Sequence, residues 1–195
     1  MRKFENFLLL KNLGEREKEH SKRVAFYSKK FGCVLGLENS ELNRLYALAL
    51  LHDIGKARIK KSILNKPGAL NERERKAIET HSIFGEQYIL LIPELKAYSN
   101  VVRYHHEKWD GKGYPDGLLE NNIPFLSRII SITDVYDALT SERTYRKKVY
   151  TKKEALKIIV DGAGTQFDPR LTKLFIENIN NVLDPYESMK EATCN

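Results

Sequence analysis

Apolar residues recur along this chain at intervals of three and four. Val24, Tyr27, Phe31 and Val34 form one such row, and Leu42, Leu45, Ala49 and His52 form a second. That spacing puts each set on one face of a helix with about 3.6 residues per turn. The same period predicts a helix from Ile78 carrying His81, Gly85 and Tyr88 on one face, and another bearing Leu126, Ile130 and Asp134. Two more are expected over 155–160 and 171–179. No run alternates with the period of two that marks a half-buried strand. Glycine and proline gather in Lys66-Pro67-Gly68 and in Gly111-Lys112-Gly113-Tyr114-Pro115, which read as loops. The expected fold class is all-α, with about seven to nine helices. Two helix starts are also marked. Asn71 predicts an N-cap, with Glu72 and Glu74 in the first turn where the helix dipole favours negative charge. Asp168-Pro169 opens the last helix, because proline is tolerated at the first helical position.

Composition narrows this picture. With 195 residues, 42% of them hydrophobic, one core is expected. It is assigned to a single domain over 15–182, after a short lead-in over 1–14 and before a peripheral tail over 183–195. Mean hydropathy is −0.48. No apolar run approaches the roughly 18 residues of a membrane span, and the stretch 7–10 is too short for a secretory signal, so a cytoplasmic protein is expected. Cys33 and Cys194 form neither a disulfide framework nor a zinc-knuckle spacing. The 33 basic and 26 acidic residues leave a net charge of +7, which admits an anionic partner without choosing one. General nucleic-acid binding is not expected.

The candidate chemistry lies in the histidines. All five fall in four places: His20, His52, His81 and the pair His105-His106. Three of these places are on apolar helix faces, where an imidazole needs a polar partner. Asp53 follows His52 directly, and Asp134 shares a face with Leu126 and Ile130. Carboxylates are rarely buried unless paired or metal-bound. A lone histidine on such a face is commonly a hydrogen-bonded core residue, and Asp134 alone could anchor a helix to a loop. That reading must hold for seven residues at once, and it leaves the His-Asp and His-His dipeptides unexplained. Seven nitrogen and oxygen donors without a thiolate exceed one tetrahedral zinc. They suit two octahedral-preferring ions such as Fe, Mn or Co. Two cations about 3.5–4 Å apart activate a shared water and hold the attacking and leaving oxygens of a phosphoryl displacement. Phosphoester hydrolysis is the chemistry this donor set serves best.

Four segments in order then resemble one family. Leu50-Leu51-His52-Asp53-Ile54-Gly55-Lys56 resembles the motif of the HD phosphohydrolases, an all-α superfamily. His105-His106-Glu107-Lys108-Trp109-Asp110-Gly111-Lys112-Gly113-Tyr114-Pro115 resembles the segment that marks its HD-GYP subfamily. The run from Asp134 to Arg146 and the run Gly164-Thr165-Gln166-Phe167-Asp168-Pro169 match the downstream segments, so the resemblance covers about residues 15–180. It implies a helical bundle with extra C-terminal helices and hydrolysis of cyclic di-GMP to linear pGpG, in some members onward to GMP. It also implies metal ligation by His20, His52, Asp53, His81, His105, His106 and Asp134, with Asp53 as the bridge.

Lys56 is expected to face the phosphate, its alternative being a solvated lysine. Arg143 and Arg146, one turn apart, would bind the second phosphate or a guanine edge; a plain basic surface is the alternative. Asp110, Gly111 and Tyr114 belong to a loop that would line a base pocket, or that is only a tight turn. Some members add a glutamate four residues before the first histidine and hold a third metal. Here that position is Arg16, and Glu17 is out of register, so two ions, Fe or Mn, are expected. Thr133 stands where alanine is common and is expected to matter little. Such domains usually follow a sensor or receiver module; here the expected alternatives are a separate regulatory protein that supplies sensory input and an unregulated activity. Two other functions compete: an HD-type enzyme acting on another nucleotide, and a module that binds a cyclic dinucleotide without cleaving it. The GYP segment argues against the first, and the intact set of seven ligand positions against the second.

Overall fold

The computed structural model describes residues 13–141 and 149–183. Among these residues nine α-helices have both ends described: α1 (Glu15–Val34), α2 (Asn39–Leu51), α3 (Lys61–Leu64), α4 (Glu72–Glu79), α5 (His81–Leu90), α6 (Ser99–Arg103), α7 (Phe125–Thr140), α8 (Lys152–Asp161) and α9 (Pro169–Glu177); residues 179–183 are helical as well. Short 3-10 turns occupy Ile54–Arg58, Lys96–Tyr98 and Glu120–Asn122. Strands are absent from the described residues, where only the isolated bridges Asp110–Leu119 and Ala163–Phe167 occur. The all-α expectation therefore holds. No helix of the described residues is long and apolar enough to cross a membrane.

The long helix α1 packs against α2 on one side and α7 on the other. Phe31 of α1, Phe175 of α9 and Tyr136 of α7 meet edge to face, with Phe31 and Phe175 centroids 5.2 Å apart and Tyr136 and Phe175 6.0 Å apart. Such contacts tie α1, α7 and α9 into one apolar core. Thr133 contributes more than the sequence suggests. Its hydroxyl lies 2.7 Å from that of Ser28 and donates back to its own helix, so a buried polar pair joins α7 to α1.

Both marked helix starts are present. The Asn71 side chain accepts from the Glu74 N–H while Glu74 reaches back to the Asn71 N–H, a complete capping box. Asp168 caps α9 with Pro169 in its first turn. The helix expected from Ile78 is corrected. Ile78 belongs to α4, and α5 begins at His81 after a break at Thr80. The cause is local competition for carbonyls: Thr80 Oγ1 donates to the Ala77 carbonyl at 2.7 Å, and His81 Nδ1 donates to that of Ile78 at 2.7 Å.

Candidate metal centre

The seven candidate donors arrive on five separate stretches of the chain. His20 is buried on α1, His52 and Asp53 end α2, His81 opens α5, His105 and His106 follow α6, and Asp134 lies on α7. The turn after Asp53 must pass very close to the start of α5. A side chain on Gly55 would bring its Cβ within 1.9 Å of the His81 carbonyl oxygen, so only glycine lets these ligands converge.

The donors collect into two groups, Asp53 with His81, His105 and His106, and His20 with His52 and Asp134. Within each group the ligand atoms all lie within 4.8 Å of one another. Asp53 faces both. Its Oδ1 is 3.3 Å from His81 Nε2, while its Oδ2 is 3.4 Å from His52 Nε2 and 3.8 Å from His20 Nε2. Asp134 Oδ1 is 3.0 Å from His20 Nε2, and the Nε2 atoms of His81 and His105 are 3.3 Å apart.

The imidazoles are aimed by their other nitrogen. Nδ1 of His52, His81 and His105 lies 2.6, 2.7 and 2.6 Å from the carbonyls of Ala49, Ile78 and Val102. A carbonyl only accepts, so Nδ1 carries the proton and the Nε2 lone pair points inward. His20 obeys the same rule through a carboxylate, its Nδ1 lying 2.6 Å from Asp137 Oδ2. Arg23 holds that carboxylate in a fork, with Nε to Oδ1 at 2.5 Å and Nη2 to Oδ2 at 3.0 Å.

Electrostatics agree with this geometry. Burial pushes His81 down to about 4 and His106 down to about 3, and it holds His105 well below the usual imidazole value. These rings are neutral at pH 7, as ligands must be. Burial alone would raise Asp53 and Asp134. Lys56 and His52 overcome this at Asp53, and His20 does so at Asp134, leaving both carboxylates well below their ordinary range. His52 is raised despite its burial because Asp53 and Asp134 lie beside it. Among the described residues, the buried atoms His52 Nε2 and Asp53 Oδ1 have no hydrogen-bond partner. Buried polar atoms are seldom left so. Inward lone pairs on several imidazoles, two ionised carboxylates and orphaned acceptors together fit divalent cations.

The other expected site residues are distributed unevenly. Lys56 reaches the centre, with Nζ 2.5 Å from Asp53 Oδ2. The Tyr114 ring lies over His106 at 4.9 Å and near His81 at 6.4 Å, and burial raises its phenol. Asp110 and Gly111 instead shape the loop. Asp110 accepts from the Lys112 N–H at 3.1 Å and pairs with its ammonium at 3.3 Å, while Gly111 takes φ 75°. Arg143 and Arg146 lie outside the described residues. Arg16 is exposed and Glu17 half-buried, and neither belongs to the two donor groups.

Sequence reasoning assigned no role to Asp137 or Glu107. Asp137 stands three residues after Asp134 on the same helix, and that spacing was the available signal. Glu107 anchors the loop: its carboxylate accepts from the N–H groups of Asp116, Gly117 and Leu118 at 2.8, 2.9 and 3.1 Å. The segment after α8 braces the same loop, since the carbonyls of Gln166 and Thr165 accept from Trp109 and Asp110.

Helical packing that converges five histidines and two aspartates on one buried point defines an all-α protein built around a candidate divalent-metal centre. The chain belongs to the HD-domain family, whose profile matches residues 7–171. It is 35% identical to the 3'3'-cGAMP-specific phosphodiesterase 3 of Vibrio cholerae over 89% of this chain and 38% of the relative. It is 32% identical to a cyclic di-GMP phosphodiesterase of Thermotoga maritima over 88% of this chain and 47% of the relative. The chain thus spans less than half the length of these relatives. Among solved structures, the HD domain of the Listeria monocytogenes phosphodiesterase PgpH shares the fold at a TM-score of 0.62 and 17% identity, covering 95% of this chain and all of that one. A cyclic GMP-AMP specific phosphodiesterase of V. cholerae does so at 0.62 and 24%, covering 84% of this chain and 44% of that one.

Proposed function

We propose that this chain is a metal-dependent cyclic-dinucleotide phosphodiesterase that opens one phosphodiester bond of cyclic di-GMP to give linear pGpG. The observation that carries the reading is Asp53, whose two oxygens face two separate donor groups. His20, His52 and Asp134 would hold one divalent ion, His81, His105 and His106 the other, and Asp53 would serve both. Fe and Mn suit such nitrogen and oxygen donors. A bound ion pair supplies charge that activates water and neutralises phosphoryl oxygens.

The chain's own residues do the rest. The Nδ1 hydrogen bonds keep the imidazoles in one tautomer and one orientation. Lys56 brings a fixed ammonium next to Asp53, where it would stabilise negative charge growing on the phosphate in the transition state. The Tyr114 phenol keeps its proton and can donate to a phosphate or sugar oxygen. Names of the relatives support the substrate class, and both guanine-only and mixed guanine-adenine dinucleotides occur among them.

The test is anaerobic purification with metal analysis, followed by product chromatography on cyclic di-GMP and 3'3'-cGAMP. Turnover of cyclic di-GMP to pGpG is expected, absent in His52→Ala and restored to chelated wild-type protein by Mn or Fe. A faster reaction with deoxynucleoside triphosphates would favour another nucleotide as substrate. Tight binding of cyclic di-GMP without turnover in a metal-replete preparation would make the chain a binding module.

A further inference from the structure

A cavity of about 590 Å³ opens beside the donor cluster. Three of its lining residues sit three positions from a candidate ligand. Glu17 precedes His20 by three, Lys56 follows Asp53 by three, and Ile78 precedes His81 by three. The last two links are direct contacts, Lys56 with Asp53 Oδ2 at 2.5 Å and the Ile78 carbonyl with His81 Nδ1 at 2.7 Å. The cavity therefore adjoins the metal centre, with Lys56 and Ile78 standing between the two.

Its walls are of two kinds. Ile63, Leu64, Leu70 and Ile78 supply apolar surface from the α3 region and α4. Arg16 and Arg75 lie at the start of α1 and on α4, and among the described residues neither guanidinium has a hydrogen bond or ion pair. Lys66 also lines the cavity but is held by Glu74 through bonds of 2.8 and 2.6 Å. An apolar enclosure of this volume with a few converging polar groups is the usual form of a small-molecule site. A flat nucleobase suits the aliphatic wall, and an anionic phosphodiester suits two arginines without other partners.

We propose that this cavity is the subsite for the non-reacting half of the dinucleotide. The base packs on Ile63, Leu64, Leu70 and Ile78, and the second phosphodiester is held by Arg16 and Arg75. This assignment rests on the proposed cyclic-dinucleotide reading and adds to it the residues that select a dinucleotide over a simple phosphodiester.

The full chain, loaded with Mn, is compared on cyclic di-GMP and on bis(p-nitrophenyl) phosphate, which has one phosphodiester and neither a base nor a second phosphate. The measured quantity is the ratio of kcat/KM for the two substrates. In the double variant Arg16→Ala, Arg75→Ala this ratio is expected to fall about tenfold or more, mostly through KM for the dinucleotide, as loss of charge-assisted contacts predicts. Salt dependence of that KM should flatten. Leu64→Trp, which fills the apolar wall, should lower the same ratio. A double variant whose ratio stays within about twofold of wild type, or whose two activities drop together, overturns the subsite. Wild-type protein that cleaves the small diester but neither cyclic di-GMP nor 3'3'-cGAMP overturns the proposed reaction instead, and the occupant of the cavity with it.

Discussion

Asp137 accepts the Nδ1 hydrogen of His20 at 2.6 Å while its carboxylate is gripped by Arg23, so a buried acid on α7 aims a candidate ligand on α1. Such partners fix the tautomer of a ligating imidazole and raise its basicity. Asp137→Asn keeps the shape but removes the charge. It is expected to weaken Mn or Fe retention about 10–100-fold. Competition with a chelator of known affinity checks this, and unchanged retention would reduce Asp137 to a helix-packing residue.

Lys56 touches Asp53 at its Oδ2 and lines the adjoining cavity. Removal of one preorganised donor from a charge-stabilising site costs about 10²–10³ in kcat. Lys56→Ala is expected to show a loss of that order with metal content close to wild type. Inductively coupled plasma analysis beside steady-state kinetics separates the two. A loss of metal matching the loss of rate would point to Lys56 as a support for Asp53 alone.

In metal-free protein the buried histidines link stability to pH. His81 at about 4, His106 at about 3 and the strongly lowered His105 all bind fewer protons when folded than when unfolded. Their contribution is fully present above the ordinary imidazole value of about 6.5 and is lost as pH falls from there towards 4. His52, which is raised, acts in the opposite sense, contributing below about 6.5 and fading as pH rises through its folded value. Three lowered rings outweigh one raised ring. Asp53 and Asp134 add a second loss only below the ordinary carboxylate range. The urea midpoint of chelator-treated protein is therefore expected to be lower at pH 5 than at pH 7.5. An equal or higher midpoint at pH 5 contradicts the buried neutral imidazoles.

Gly55 and Gly113 are positions where a methyl group has no space. The Cβ of Gly55→Ala would lie 1.9 Å from the His81 carbonyl oxygen, and that of Gly113→Ala 2.3 Å from the Lys108 nitrogen. Because both obstacles are backbone, relief requires a main-chain shift, at a cost of roughly 1–3 kcal/mol or more. Thermal unfolding should show both losses. Gly55→Ala is expected also to impair metal retention, since it displaces the first turn of the helix that carries His81.

Local sequence determined the helical class, because a period of three to four apolar residues encodes one buried face whatever that face meets. It also picked out the seven donors, since His52-Asp53, His105-His106 and Asp134 sit in apolar registers where solitary polar groups are costly. The caps at Asn71 and Asp168 were legible for the same local reason. Tertiary structure alone decided which donors share a group, because that depends on how α1, α2, α5 and α7 cross. It turned Asp137 from an ordinary helical aspartate into the partner of His20, placed 117 positions away in the chain. It set Glu107 under the loop it anchors, and it placed Arg16 and Arg75 on the walls of one cavity. His20 and Asp137, like Arg16 and Arg75, are far apart in sequence, and packing angles and close backbone approaches, which no local pattern records, bring them together.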